Sequence, residues 1–394
     1  MAEKLILIFL LFFGTAATVS AAPQENPAPV PVDACFVFAG EQLTRAVEET
    51  ADSTRFPRFT GADGKWVTVD SHQWSSGFFA GCLWLIFEHT GDNVWKNRAA
   101  RWTAGMEREQ HNRDNHNNGF MMLPGFGNAL RLTGGEHNRE VLIESARSLA
   151  SRYDARVGMI KAMDGDVWKF PVLVDTMVNI ELLFRAAENG GDPQWKTIAE
   201  THALRTMRDH VRPDGSTVQL VDYDLETGKI REKGTLCGLS GESAWARGQA
   251  QAIYGFAAAY RETKNPAFLK TACRVADYFI AHLPADKVPY WDFRAPGIPD
   301  EIRDSSAASI AVVGLLELAG QVKNSREKRK YTAAAKDILR SLCSPAYLAN
   351  GTETRGLLKH ATWKKPTDPQ ADTSLIWGDY YFLEGLKKWG EINR

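Results

Sequence analysis

From residue 34 to the C-terminus, apolar residues recur at intervals of three and four, the period of helices buried along one face. The pattern predicts helices over 40–51, 74–90, 93–110, 120–133, 138–154, 176–190, 193–212, 243–262, 266–282, 304–322, 327–343 and 376–391. Breaks of Gly, Asp and Pro separate them, as in Thr90-Gly91-Asp92, Gly134-Gly135-Glu136 and Lys264-Asn265-Pro266. The breaks often divide a first helix rich in glycine and aromatic residues from a second, more charged one. Such a succession reads as helical hairpins stacked side by side. Closed into a ring, with apolar helices inside and polar ones outside, the twelve give an all-α (α/α)6 barrel. Strand-like alternation is clearest over Gly215–Asp224, followed by the turn Glu226-Thr227-Gly228-Lys229, and predicts one small β-hairpin inserted between helices. The irregular stretches 155–174, 213–242, 283–303 and 345–375 each follow the second helix of a pair. In a closed ring they gather at one end, where a pocket can form.

The N-terminus follows another pattern. Lys4 precedes the apolar run Leu5–Phe13 and then small residues ending Val19-Ser20-Ala21-Ala22, which suits signal-peptide cleavage after Ala21 or Ala22 and is too short to span a bilayer well. Pro23, Pro27, Pro29 and Pro31 then make an extended tether. The expected organisation is a signal peptide over 1–22, a Pro-rich tether over 23–33 and, because no linker interrupts the rest, a single domain over 34–394. An exported, soluble chain is expected. With 47 Lys and Arg against 48 Asp and Glu, nothing favours nucleic acid or an anionic membrane as partner, so an acidic ligand must be met by a local site. The five cysteines are scattered without a CxxC spacing and allow one or two bridges at most.

Several chemistries are excluded by pattern. Gly125-Phe126-Gly127 lacks the third glycine of a dinucleotide fingerprint, no GxxxxGK[ST] loop exists, and Gly238-Leu239-Ser240-Gly241 misses the nucleophile elbow. The nine histidines contain no HExxH, and His111 with His116 lacks a third ligand. Neither a cofactor nor a catalytic metal is expected. Carboxylates remain, and acids are the usual equipment for breaking a glycosidic bond. Asp175 stands between the aromatic, apolar approach Trp168–Val174 and the start of an amphipathic helix. Apolar surroundings raise the pKa of such a group and free helix N–H groups lower it, leaving a usable proton donor. The plainer alternative is that Asp175 caps the helix. Of the 12 tryptophans, several keep polar or glycine-rich company, as in His72-Gln73-Trp74-Ser75-Ser76-Gly77-Phe78-Phe79 and Glu242-Ser243-Ala244-Trp245-Ala246-Arg247. Flat rings beside hydrogen-bonding groups suit sugar faces, although most are expected to fill the core.

Taken in order, Trp74-Ser75-Ser76-Gly77-Phe78-Phe79, His116-Asn117-Asn118-Gly119-Phe120, Asp175-Thr176-Met177-Val178-Asn179, Ser243-Ala244-Trp245-Ala246-Arg247-Gly248-Gln249-Ala250 and Ile376-Trp377-Gly378-Asp379-Tyr380-Tyr381 resemble glycoside hydrolase family 88, the unsaturated glucuronyl hydrolases. The resemblance spans nearly the whole chain after the leader. It implies an (α/α)6 barrel that removes a Δ4,5-unsaturated uronic acid from the non-reducing end of lyase-generated oligosaccharides, an anionic substrate handled without cofactor. By the same resemblance an acid protonates C4 of the vinyl ether, water adds at C5, and the hemiketal opens. Asp175 matches the general acid and base; Trp74, Phe78, His116, Trp245 and Arg247 match residues lining the sugar subsite, with Arg247 suited to pair with the sugar carboxylate.

The chain departs from the family at Asn117, where a second acid is usual, and at Gln219, Cys237 and Gln251, where His, Gln and Trp are common. Asn117 can hold substrate by hydrogen bonds but carries no charge. Asp114 belongs to the usual pattern and is not its replacement. Three readings follow: the glucuronyl hydrolase, an unsaturated rhamnogalacturonyl hydrolase acting on pectin fragments, or a sugar-binding barrel with weakened catalysis. In the last long loop, Lys364 and Lys365 are placed to meet an anionic group or simply water. The family's work on small, depolymerised products favours the periplasm over the medium.

Overall fold

The computed structural model describes residues 29–364, 368 and 370–393. The predicted signal peptide, most of the predicted tether and Lys365 lie outside them. Six outer helices are α1 (Val32–Thr50), α3 (Asn93–Ala104), α6 (Glu136–Ala150), α9 (Gln194–Asp209), α11 (Pro266–Ala281) and α13 (Ser325–Leu342). The inner ring runs from α2 (Gly77–Thr90) through α4 (Asn118–Met122) and α5 (Asn128–Thr133), joined by a π turn, then α7 (Thr176–Asn179) leading to α8 (Glu181–Glu188), α10 (Ala246–Thr263), α12 (Ser305–Gln321) and α14 (Ile376–Ile392), which packs back on α2. This is the (α/α)6 barrel expected from the periodicity.

Burial explains which helices lie inside. α10 is buried at every position from Ala246 to Ala259, and α12 from Ser305 to Leu316; both are rich in small residues, Ala and Gly in α10 and Ala, Ser and Gly in α12, which let neighbouring backbones approach. Outer α13 buries only Tyr331, Ala335, Ile338, Leu339 and Leu342, one stripe at helical spacing. Asp92, Asn265, Asp304 and Asn324 begin α3, α11, α12 and α13 by accepting backbone N–H bonds, as residues of these types do.

The larger departures from the sequence pattern are these. α1 starts at Val32, inside the predicted tether, because Cys35, Phe36, Ala39, Leu43 and Ala46 give it a buried face. The predicted helix 93–110 stops at Ala104 and resumes as a 3₁₀ turn over Glu107–His111. The segment 120–133 is interrupted by the π turn Leu123–Gly127, where Pro124 has no N–H to continue the ladder. The predicted hairpin exists as β6 (Leu220–Tyr223) and β7 (Ile230–Gly234), but a third strand, β5 (Pro171–Leu173), pairs antiparallel with β6, and two further ribbons, β1 (Phe56–Thr60) with β2 (Trp66–Val69) and β3 (Tyr153–Asp154) with β4 (Met159–Ile160), were not signalled by alternation. Among the described residues, no helix is long and apolar enough to cross a membrane.

Candidate active site

At the end of the barrel where the long loops meet lies a cavity of about 400 Å³, lined by Trp74, His116, Asn117, Asp175, Gln219, Trp245 and Arg247 together with Cys237, Gln251 and Lys364. Local backbone pairing brings these distant residues together. The Cα partners Leu173 and Leu220 end the β5–β6 pairing, and the next bond runs from Val174 N to Gln219 O at 2.9 Å, so Asp175 and Gln219 leave the same sheet edge. Ala162 N donates to Pro171 O (2.7 Å) and His116 N to Ala162 O (2.9 Å), which ties the 115–117 segment to that sheet. Gly119 seats the segment against the first turn of the next inner helix: a Cβ there would lie 2.5 Å from Asn179 Cα.

Asp175 sits at the N-cap position of α7 but its side chain accepts no capping bond. Capping is therefore not its use. The residue is partly exposed, its Oδ1 is sealed from solvent with no hydrogen-bond partner among the described residues, and burial pushes its pKa up to about 6 against the opposing pull of its own backbone N–H and of Arg247. Beside it, Thr176 Oγ1 lies 2.6 Å from His116 Nδ1. Burial lowers the His116 pKa to about 3, so this imidazole is neutral at ordinary pH.

Side-chain amides face the same space. Asn117 makes no side-chain hydrogen bond among the described residues, while Gln219 Oε1 accepts from Thr235 Oγ1 (2.5 Å), Leu236 N (2.8 Å) and Cys237 N (2.9 Å). With that oxygen saturated, the Gln219 side chain has only N–H bonds left to offer. Gln251 lines the cavity too, its buried Oε1 unpartnered among the described residues.

Arg247 is more committed than the sequence suggested. Its guanidinium lies over Trp245 (4.6 Å) and Trp377 (5.3 Å), its Nη1 donates to Ser306 Oγ (3.1 Å) and Thr362 O (3.0 Å), and its Nη2 donates to Trp363 O. Nη1 also stands 3.6 Å from Asp304 Oδ2. The end-on fork expected for a sugar carboxylate is thus spent on the 362–363 loop, and the residue acts as a clamp and a source of positive field.

Phe78 does not line the cavity. It is 1 % exposed and packs behind Trp74 with Phe120, Tyr380 and Tyr381, stiffening the wall that Trp74 presents. Asp114 is exposed and near His72, away from the cavity lining. Sequence reasoning missed Trp363 and Arg58. Arg58 is buried, lies over Trp74 (5.7 Å) and Trp363 (4.9 Å), and bonds Gln73 and Gln370; only the contact of β1 with the 361–375 loop brings it there. No cluster of three or more metal-ligating side chains occurs among the described residues.

A helical barrel whose open end collects indole rings, amides and one carboxyl group of raised pKa has the equipment of a carbohydrate-cleaving enzyme. No protein-family profile matches the chain. An unsaturated glucuronyl hydrolase of Formosa agariphila is 37% identical over 391 residues, 98% of this chain and 97% of that protein. Another from Bacillus sp. strain GL1 is 35% identical over 339 residues, 84% and 90% of the two chains. A crystal structure of an unsaturated glucuronyl hydrolase specific for heparin superposes with a TM-score of 0.88 at 37% identity, covering 92% of this chain and 97% of the other. The chain belongs to the unsaturated glucuronyl hydrolases, glycoside hydrolase family 88, and is a glycosidase.

Proposed function

We propose that this chain removes a Δ4,5-unsaturated uronic acid from the non-reducing end of lyase-generated glycosaminoglycan-type oligosaccharides, with Asp175 as the general acid and base. The neutral carboxyl group gives its proton to C4 of the vinyl ether. Positive charge then builds at C5, and the carboxylate left behind takes a proton from the water that adds there. The hemiketal so formed opens and releases the remaining saccharide, one water being consumed. Trp74 and Trp245 supply flat faces for the ring, Gln219 and Asn117 supply amide hydrogen bonds, and Arg247 with Lys364 supplies the positive field that favours a uronate.

One observation carries the reading: a carboxyl group with a pKa near 6 and an unpartnered oxygen, set in a cavity walled by indoles. A proton donor tuned close to working pH is what general acid catalysis needs. The test follows the ultraviolet absorbance of the 4,5-ene with heparin-, chondroitin- and pectin-derived products. Loss of absorbance with wild type, and none above background with Asp175→Asn, supports the assignment; equal rates defeat it. A wild type that binds the ene without consuming it is a binding barrel, the reading Asn117 motivates. Pectin fragments consumed in preference make it a rhamnogalacturonyl enzyme. We further infer export to the periplasm through residues 1–22, on the pattern of those residues alone; a mature N-terminus at Ala22 or Pro23 tests it.

A further inference from the structure

The ring closes where its first and last helices meet. Outer helices α1 and α13 both pack on α14, so a contact between them joins residues far apart in the sequence. There Cys35, in the second turn of α1, and Cys343, the C-cap of α13, place their Sγ atoms 3.5 Å apart across 308 positions of sequence. Cys82, Cys237 and Cys273 stand on other elements. Two thiols at van der Waals contact need only a small side-chain rotation to reach bonding distance. Cys35 is 2 % exposed, whereas Cys343 borders an open surface groove edged by Pro29, Pro31 and Ser344, which gives a small oxidant access.

We propose that Cys35 and Cys343 form a disulfide that locks the seam of the barrel. With oxidised glutathione as the oxidant, Cys343 Sγ attacks one glutathione sulfur, its proton leaves, and the first reduced glutathione departs. Cys35 Sγ then displaces the second from the mixed disulfide. Two protein thiols lose two electrons and two protons, and one glutathione disulfide becomes two thiols. Cys35 suits the second attack, because its position near a helix N-terminus favours its thiolate. A bridge closing so long a loop restricts the unfolded chain strongly.

The full chain is incubated under native conditions with oxidised glutathione, and denatured thiols are counted before and after. The reduced chain titrates five, one for each cysteine; the oxidised chain is expected to titrate three, to lose about 2 Da in mass, and to yield one tryptic fragment joining Cys35 to Cys343. Its thermal midpoint is expected to rise by about 5 °C, and Cys35→Ala and Cys343→Ala should each abolish that rise while leaving the reduced chain's glycosidase activity unchanged. Five thiols after oxidation, a bridge between other cysteines, or the same rise in either variant overturns the proposal. None of these readouts depends on the assignment of Asp175.

Discussion

Replacing Asp175 with asparagine keeps the shape of the side chain and removes its proton, which separates what that proton does for catalysis from what it costs the fold. Burial raises the carboxyl pKa from 3.8 to about 6. At about 1.36 kcal/mol per pH unit, holding this group ionised in the native state costs at most about 3 kcal/mol, and the partial exposure of the residue reduces that to about 1–2 kcal/mol. The sign follows from proton uptake. Between pH 3.8 and about 6 the folded chain holds a proton that the unfolded chain has lost, so this group's contribution to stability falls as pH rises through that window and is level above it. Asparagine has no such dependence. The variant should therefore gain about 1–2 kcal/mol over wild type at pH 8 relative to pH 4, other titrating groups cancelling in the difference, while turnover falls by about 10²–10⁴. Urea unfolding of both proteins at pH 4, 5, 6, 7 and 8, with initial rates on an unsaturated disaccharide, measures each term. A stability difference independent of pH would refute the argument that Asp175 titrates from a desolvated site.

Asn117→Asp adds a like charge to the cavity that holds Asp175 and should raise the Asp175 pKa, moving the alkaline limb of kcat/KM upward by roughly one pH unit; an unmoved profile over pH 4–9 counts against a shared electrostatic environment. Arg247→Ala leaves Asp304 buried without its nearest cation and frees the 362–363 loop, so the unfolding free energy should fall by about 3–5 kcal/mol and KM should rise, both readable from denaturant titration and steady-state rates. Gly77→Ala should be as damaging without touching the cavity, because its Cβ would lie 2.2 Å from Met121 O and 2.6 Å from Phe120 O; a loss of about 3 kcal/mol or failure to fold is expected, and a normal melting curve would contradict the tight packing of α2 on α4.

The barrel was legible because it rests on a repeated local signal. α11 spans Pro266–Ala281 against a predicted 266–282, and α12 spans Ser305–Gln321 against 304–322, since Asn265 and Asp304 mark their starts by their own chemistry. The start of α1 was hidden because proline density near Pro29 and Pro31 outweighed a stripe that is only partly apolar. At the cavity, residue types were readable but commitments were not. Arg247 has the same sequence neighbours whether it greets a ligand or binds a carbonyl 115 positions away. Phe78 and Trp74 stand four positions apart in the same motif, and only the packing of α14 against α2 decides which of them is covered. Arg58 gave no signal at all, because its role comes from a short ribbon meeting a distant loop.

The saturated oxygen of Gln219 and the neutral ring of His116 have a joint effect on how this catalyst meets acidity. Down to about pH 3 the imidazole keeps its charge state, and no carboxamide ionises. Among these side chains Asp175 alone switches across mildly acidic conditions, so its velocity curve should descend as a single sigmoid from an acid plateau, where two-acid machinery draws a bell.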